Sequence, residues 1–241
     1  MWRKKKKDSG SGDLDWFPAL INRLQQDEAD AVIAETVAAL EQQPDHVKSL
    51  ITLAMAHNWS GDGEKAEPYA RKLLDIVQQR SASRKIDGWS PLYVDWAYLA
   101  VSDAMLVQGR FLEAARVLEP HTRRAARTNM WLAIIAFAYF LAGDRRAVRR
   151  TLDKWLHRDP YGGDDHTIEQ VTITDKYRLM VGYYIELILP NPRRFYLPPM
   201  RRPSGYWDDA LAVWENEARR HAHNPYGKRL TVILADLRRK I

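Results

Sequence analysis

The interpretation of the whole chain depends on the stretch Gly109-Arg110-Phe111-Leu112-Glu113-Ala114. A second glycine, Gly143, lies 34 residues after Gly109, and this spacing suggests a repeat. Apolar and small residues stand at helical spacing before both glycines: Tyr98, Val101 and Ser102 before the first, and Leu132, Ile135, Ala136 and Tyr139 before the second. A glycine between two such segments predicts a tight turn that joins two helices, and the small residues predict their close approach.

The same frame recurs towards the N-terminus. Around Gly61 it contains Leu50, Leu53, Ala54, His57, Ala66, Ala70 and Leu73, and one period earlier it contains Trp16, Leu20, Ala31 and Pro44. We therefore place four helix pairs at about residues 13–46, 47–80, 95–128 and 129–162. Residues 81–94 interrupt the period, and Pro120 predicts an early end or a kink in the second helix of the third pair.

This arrangement resembles the tetratricopeptide repeat (TPR) family, in which a bulky residue, Leu, a small residue and Tyr precede a glycine turn, and Ala and a terminal Pro follow it. The resemblance implies an all-α fold, a right-handed superhelical array of antiparallel helix pairs with C-terminal capping helices. Residues 1–12, with a run of lysines followed by serine and glycine, are expected to form a flexible basic arm.

In the C-terminal part, residues 163–241, apolar residues at helical spacing predict three further helices at about residues 175–189, 206–223 and 228–240. Between the first two lies a Pro- and Arg-rich loop, residues 190–205, which the prolines prevent from being helical. The motif Asp159-Pro160-Tyr161-Gly162 recurs as Asn224-Pro225-Tyr226-Gly227, which suggests that the second proline closes an altered fifth unit.

The resemblance implies that the first helix of each pair lines a concave groove. The side chains mapped to it are almost all apolar: Leu24, Ile51, Met55, Trp59, Leu99, Leu106, Ile134, Phe137 and Phe140. Such a face must be covered, since burial of one large apolar side chain contributes about 1.5–3 kcal/mol. Two covers stay open: the chain's own C-terminal helices, with Tyr183, Tyr184 and Trp214, or an apolar peptide or helix of another protein.

Charge is distributed unevenly along the chain, with a balance of −7 over residues 13–103 and of +6 over both 109–160 and 193–241. The densest group of cations lies in the second helix of the fourth pair and comprises Arg145, Arg146, Arg149, Arg150, Lys154 and Arg158. Residues four apart share a helix face. This anion-facing patch is either a solvated surface or, together with the basic arm, a surface for nucleic acid or anionic lipid.

Catalytic and cofactor motifs are missing from the sequence. The 241 residues contain no Cys, no His-Glu-x-x-His and no glycine-rich phosphate loop. Glu217 and His221 share a helix face, but two ligands make a poor zinc site. We predict no enzymatic activity, metal, cofactor or small-molecule substrate.

The longest apolar run, residues 130–142, is shorter than the roughly 20 residues that a membrane span needs. The expected function is a cytoplasmic protein-interaction module (scaffold, adaptor or chaperone-like), peripheral to a membrane if the basic arm binds lipid. The alternative is a helical repeat protein that binds nucleic acid or an anionic membrane.

Overall fold

A computed structural model describes residues 16–82, 92–120, 122, 128–158 and 206–239. Regular secondary structure in these ranges is entirely helical, as expected from the sequence, with no strand; it is α-helical except at Thr122, which is in a 3₁₀ conformation. The ten helices are α1 (Trp16–Gln25), α2 (Ala29–Gln42), α3 (Val47–Trp59), α4 (Gly63–Ala82), α5 (Leu92–Val107), α6 (Phe111–Leu118), α7 (Thr128–Ala142), α8 (Arg145–Arg158), α9 (Tyr206–Arg220) and α10 (Pro225–Arg238).

Helices α1 to α8 fall in the four predicted intervals, two to each interval. The second helix of the third pair ends early, as Pro120 predicts, since α6 stops at Leu118. Two boundaries differ from the prediction: α4 extends to Ala82, and α5 begins at Leu92, so both helices enter the expected interruption. The basic arm, the helix at 175–189 and the loop at 190–205 lie outside the described residues.

The last helix begins at Pro225, so the predicted start at residue 228 is wrong. Proline suits the first helical position because the amide it lacks would have no partner there. Asn224 caps the helix, its side-chain oxygen accepting a hydrogen bond from the backbone amide of Gly227 at 3.1 Å. Pro225 therefore opens α10, and the preceding helix, α9, ends at Arg220.

The helices α1, α3, α5 and α7 end in the same way. A residue with positive φ follows each of them: Asp27 (φ 61°), Gly61 (81°), Gly109 (79°) and Gly143 (78°). The next amide donates to the carbonyl five residues back, in the pairs Glu28 to Arg23, Asp62 to His57, Arg110 to Met105 and Asp144 to Tyr139, at 2.8–3.1 Å. This is the Schellman end, which satisfies the last carbonyls of a helix and turns the chain.

Asp27 takes the place that glycine holds in the other three turns, and it lies 34 residues before Gly61. Aspartate tolerates the left-handed conformation better than most residues, because its short side chain is compact and polar. The first turn therefore matches the others in backbone geometry although its sequence hides the match.

Each helix from α1 to α8 packs against the next, and α3 also packs against α5. Their apolar side chains form three clusters. One lies among α1, α2 and α3, a second among α3, α4 and α5, and the largest extends from α3 to α10. The small Ser102 is fully buried, and its hydroxyl donates to the carbonyl of Ala114 at 3.2 Å, so α5 and α6 approach closely.

An ionic cluster joins α4 to the turn between α5 and α6. The Glu67 carboxylate accepts hydrogen bonds from Gln108 Nε2 and Arg110 Nη1, each at 2.8 Å, and it pairs with Arg71 on its own helix. Burial opposes ionisation of Glu67, but these hydrogen bonds outweigh burial and hold the pKa of its carboxyl below the ordinary value of 4.5.

Replacement of this carboxylate by an amide, Glu67→Gln, is expected to lower the free energy of unfolding by about 1–2 kcal/mol at pH 7. A carboxyl with a lowered pKa stabilises the fold above its unfolded-state pKa, and this contribution disappears as the pH falls through the folded-state value. Urea denaturation at pH 7 and pH 3 should therefore show a difference at neutral pH that shrinks in acid. Glu64→Gln, at an exposed position of the same helix, is the control and should change little at either pH.

Candidate functional site

The nine residues predicted to line the groove do not form one surface. Leu99, Leu106, Ile134 and Phe137 are buried in the largest cluster, and the half-buried Phe140 packs against it. The other four lie towards the N-terminus. They comprise Leu24, in the first cluster, Ile51, in the second, and Met55 and Trp59, which are partly buried against these clusters.

The cover over the central part of the predicted groove is the helical hairpin formed by α9 and α10, here called the C-terminal hairpin. Its apolar side chains belong to the same cluster as the groove residues of α5 and α7: Leu211, Trp214, Ala218, Tyr226, Leu230, Ile233, Leu234 and Leu237. The ring of Tyr226 meets that of Phe137 edge to face, with 6.3 Å between centroids. The chain therefore covers these groove residues itself.

Trp59, at the end of α3, is also met by the hairpin. The guanidinium of Arg220 lies 3.9 Å from the centroid of its indole ring, a cation–π contact. Ile51, in contrast, is fully buried between α3, α4 and α5, and it belongs to the packing between neighbouring helices. The sequence-based mapping of Ile51 to the groove thus selected a residue that lies in the helix interface.

The start of α10 passes the three turns that contain Gly61, Gly109 and Gly143. Asn224 donates through Nδ2 to the carbonyl of Gly61 at 3.1 Å. A methyl group on Gly61 would come within 2.6 Å of His223, and one on Gly109 would come within 2.6 Å of Pro225. At the third turn, Arg229 donates through Nε to the carbonyl of Leu141 at 2.8 Å. Two side-chain-free glycines, Gly61 and Gly109, and the carbonyl groups of Gly61 and Leu141 thus form the seat of the hairpin.

A buried polar network fixes the shape of the hairpin. The hydroxyl of Tyr226 donates to Glu217 Oε1 at 3.2 Å, and His221 Nε2 lies 3.7 Å from the same oxygen. Asn224 Nδ2 lies 3.1 Å from His221 Nδ1, and Arg220 pairs with Glu217 at 3.3 Å. Burial raises the pKa of Tyr226 well above its ordinary value, and the negative charge of Glu217 adds to the effect.

The role of each residue in Asn224-Pro225-Tyr226-Gly227 follows from these contacts. The asparagine caps α10 and holds the first glycine turn, the proline begins the helix, and the tyrosine enters the core. Gly227 is required because a Cβ there would lie 2.0 Å from the carbonyl oxygen of His221. The recurrence of the motif was visible in the sequence, and an Asn-Pro pair is a helix-start signal that could have placed the boundary correctly.

Asn224, Arg220 and Arg229 are contact residues that the sequence analysis did not find. Asn224 and Arg229 bond to backbone carbonyls of distant turns, and no sequence pattern marks such a partner. Glu217 and His221, considered as weak metal ligands, are instead partners of Tyr226 and Asn224. In the described part of the chain, no three His, Asp or Glu side chains come together in a group that could hold a metal.

The anion-facing patch lies on α8. Arg145, Arg146, Arg149, Arg150 and Lys154 are all exposed, while the side chain of Arg158 lies outside the described residues. The opposite side of the helix is buried through Ala147, Val148, Thr151 and Leu152. The two predicted surfaces differ in exposure: the residues mapped to the groove are buried or partly buried, several of them in one cluster with the hairpin, and the described side chains of the patch face solvent.

No protein-family model matches the chain, and no curated protein shows significant similarity to it. Among the helices described, none combines the length and apolar character that a membrane crossing requires.

Two glycine substitutions test the seat of the hairpin. Gly143→Ala should cost about 1–2 kcal/mol, the cost of the left-handed conformation, because the nearest atom to its new methyl group lies 3.7 Å away. Gly109→Ala should cost about 1 kcal/mol more, since its methyl group would also clash with Pro225.

Urea denaturation gives both losses, and hydrogen exchange should show faster exchange in residues 206–239 for Gly109→Ala alone. Equal losses at the two glycines, with unchanged exchange in the hairpin, would contradict the packing of Pro225 on this turn.

Proposed function

We propose that the chain is a protein-interaction module of the TPR type, a right-handed superhelical array of four antiparallel helix pairs whose groove holds the chain's own C-terminal hairpin. Three findings support the repeat. The helices α1, α3, α5 and α7 share one helix end. The first helices of adjacent pairs, α3 and α5, contact each other. The third is the 34-residue spacing from Asp27 to Gly61 and from Gly109 to Gly143, which equals the period of this family.

The observation that carries the proposal is the shared apolar cluster. Leu99, Leu106 and Phe137 belong to the same buried apolar cluster as Trp214 and Tyr226 of the hairpin, and the ring of Phe137 contacts that of Tyr226. This is the helix-in-groove mode of protein recognition, made here within one chain. The groove is therefore shaped for an amphipathic helix that carries large aromatic and leucine anchors.

A partner helix of this kind would bind by replacing the hairpin. The hairpin then acts as a competitor, and its affinity for the groove sets the affinity that a partner needs. A scaffold or adaptor role in the cytoplasm follows from the proposal, which assigns the chain no reaction and no cofactor. A groove that the hairpin covers is favoured over a permanently open groove, because the apolar side chains of α5 and α7 are buried in the cluster that they share with the hairpin.

The test weakens the seat of the hairpin in the full-length protein with Asn224→Ala and Arg229→Ala together. Each substitution removes a hydrogen bond to a turn carbonyl, worth about 1 kcal/mol, and Asn224→Ala also removes the cap of α10, so the open population should rise at least about thirty-fold. The probe is a fluorescein-labelled peptide of residues 206–239. The double variant should bind this peptide in a fluorescence-anisotropy titration at least tenfold more tightly than the wild type does.

Lys228→Ala with Val232→Ala is the matched control, because both side chains are exposed on the same helix. This control should bind the peptide no better than the wild type. The proposal fails if hydrogen exchange shows that the hairpin is released in the double variant while the peptide still does not bind.

A further inference from the structure

The charged face of α8 covers half of the helix circumference. With about 100° of rotation per residue, Arg145 and Lys154 lie about 180° apart around the axis, and Arg146, Arg149 and Arg150 lie between them. The buried residues Ala147, Val148, Thr151 and Leu152 occupy the other half. The cations thus point sideways as well as outward, and they form a half-cylinder of positive charge.

These cations are not neutralised within the part of the chain described here. No ion pair joins any of the five to a carboxylate of that part, and Asp153 is the one acidic residue among them on the exposed half. Asp144, before the helix, accepts a hydrogen bond from the backbone amide of Ala147 at 2.9 Å and serves as the helix cap. The exposed half of α8 therefore carries five described cations against one carboxylate, which is a large excess of positive charge.

The shape of the charge distinguishes between polyanions. A bilayer or an acidic helix offers a flat or convex surface, and it would contact only the outermost cations of a half-cylinder. The major groove of B-form DNA is about 12 Å wide and admits an α-helix, with phosphates along both walls. Cations on both flanks of a helix about 10–12 Å across would face both walls together. The exposed side chains described on α8 include no large apolar group that could enter a bilayer.

We propose that α8 binds duplex DNA by entering the major groove, with Arg145 and Arg149 towards one phosphate strand and Arg150 and Lys154 towards the other. The contacts are made to phosphates, so binding is independent of sequence and depends steeply on salt. This activity is separate from that of the groove, because its residues lie on a surface that the C-terminal hairpin leaves exposed.

The test compares the full-length protein with Arg149→Gln/Arg150→Gln/Lys154→Gln, which removes three of the four cations assigned to phosphates. The control, Arg219→Gln/Lys228→Gln/Arg239→Gln, removes the same net charge from exposed positions of α9, α10 and the residue after α10. The probe is a fluorescein-labelled 24-base-pair DNA duplex, titrated at salt concentrations between about 50 and 200 mM. Circular dichroism and thermal unfolding confirm that each variant keeps its fold.

The plot of log affinity against log salt should be about 2.7 units shallower for the α8 variant, since each duplex phosphate contact contributes about 0.9. At 50 mM salt the variant should bind at least tenfold more weakly than the wild type, and the control should stay within about threefold of the wild type. Asp153→Asn should strengthen binding, because it removes the one negative charge that would face the phosphates.

Three outcomes would overturn the proposal. The first is equal weakening by the α8 variant and the control, which would show a nonspecific response to net charge. The second is tighter binding to a poly-glutamate helix than to the duplex, which would indicate an acidic protein partner. The third is tighter binding to vesicles that contain anionic lipid, which would indicate a membrane.

Discussion

The left-handed residue at the end of α1, α3, α5 and α7 is the constraint on which the rest of the structure depends. It turns the chain at the same point after each of these helices and satisfies their last carbonyls. Where that residue is glycine, it also leaves a stretch of backbone without a side chain. The start of α10 packs closely on two of these glycines, Gly61 and Gly109, and at the third turn Arg229 bonds to the carbonyl of Leu141. One local conformation thus shapes both the helix pairs and their cover.

The glycines marked the turns after α3, α5 and α7, because a turn that needs positive φ strongly favours one residue type, but the bounds of α4 and α5 extend into the expected interruption. The first turn was less visible, since Asp27 adopts the same conformation without the glycine that marks it. The start of α10 was misplaced because Pro225 was interpreted as the end of one helix and is the beginning of the next. The misplaced start of α10 thus concerns a proline whose meaning depends on whether the helix lies before it or after it.

The sequence predicted only which faces of the candidate site are apolar. Apolar residues at helical spacing show that a face is buried, but they do not show which element buries it. The helix α3 is buried on nearly all sides, so Ile51 faces α4 and α5, while Trp59 meets Arg220 of α9. Asn224 and Arg229 bond to carbonyl groups, which every residue possesses, and their partners could therefore come only from the three-dimensional structure.

The seat of the C-terminal hairpin has a consequence for the cooperativity of unfolding. In an array whose units touch only their neighbours, terminal units fray independently, and unfolding proceeds stepwise. Here α10 contacts the turn after α3, the turn after α5 and the turn after α7, so one rigid rod bridges positions that are far apart along the chain. Opening any of these turns would disturb the contacts at the other two, so the described helices α3 to α8 are expected to unfold together with the hairpin.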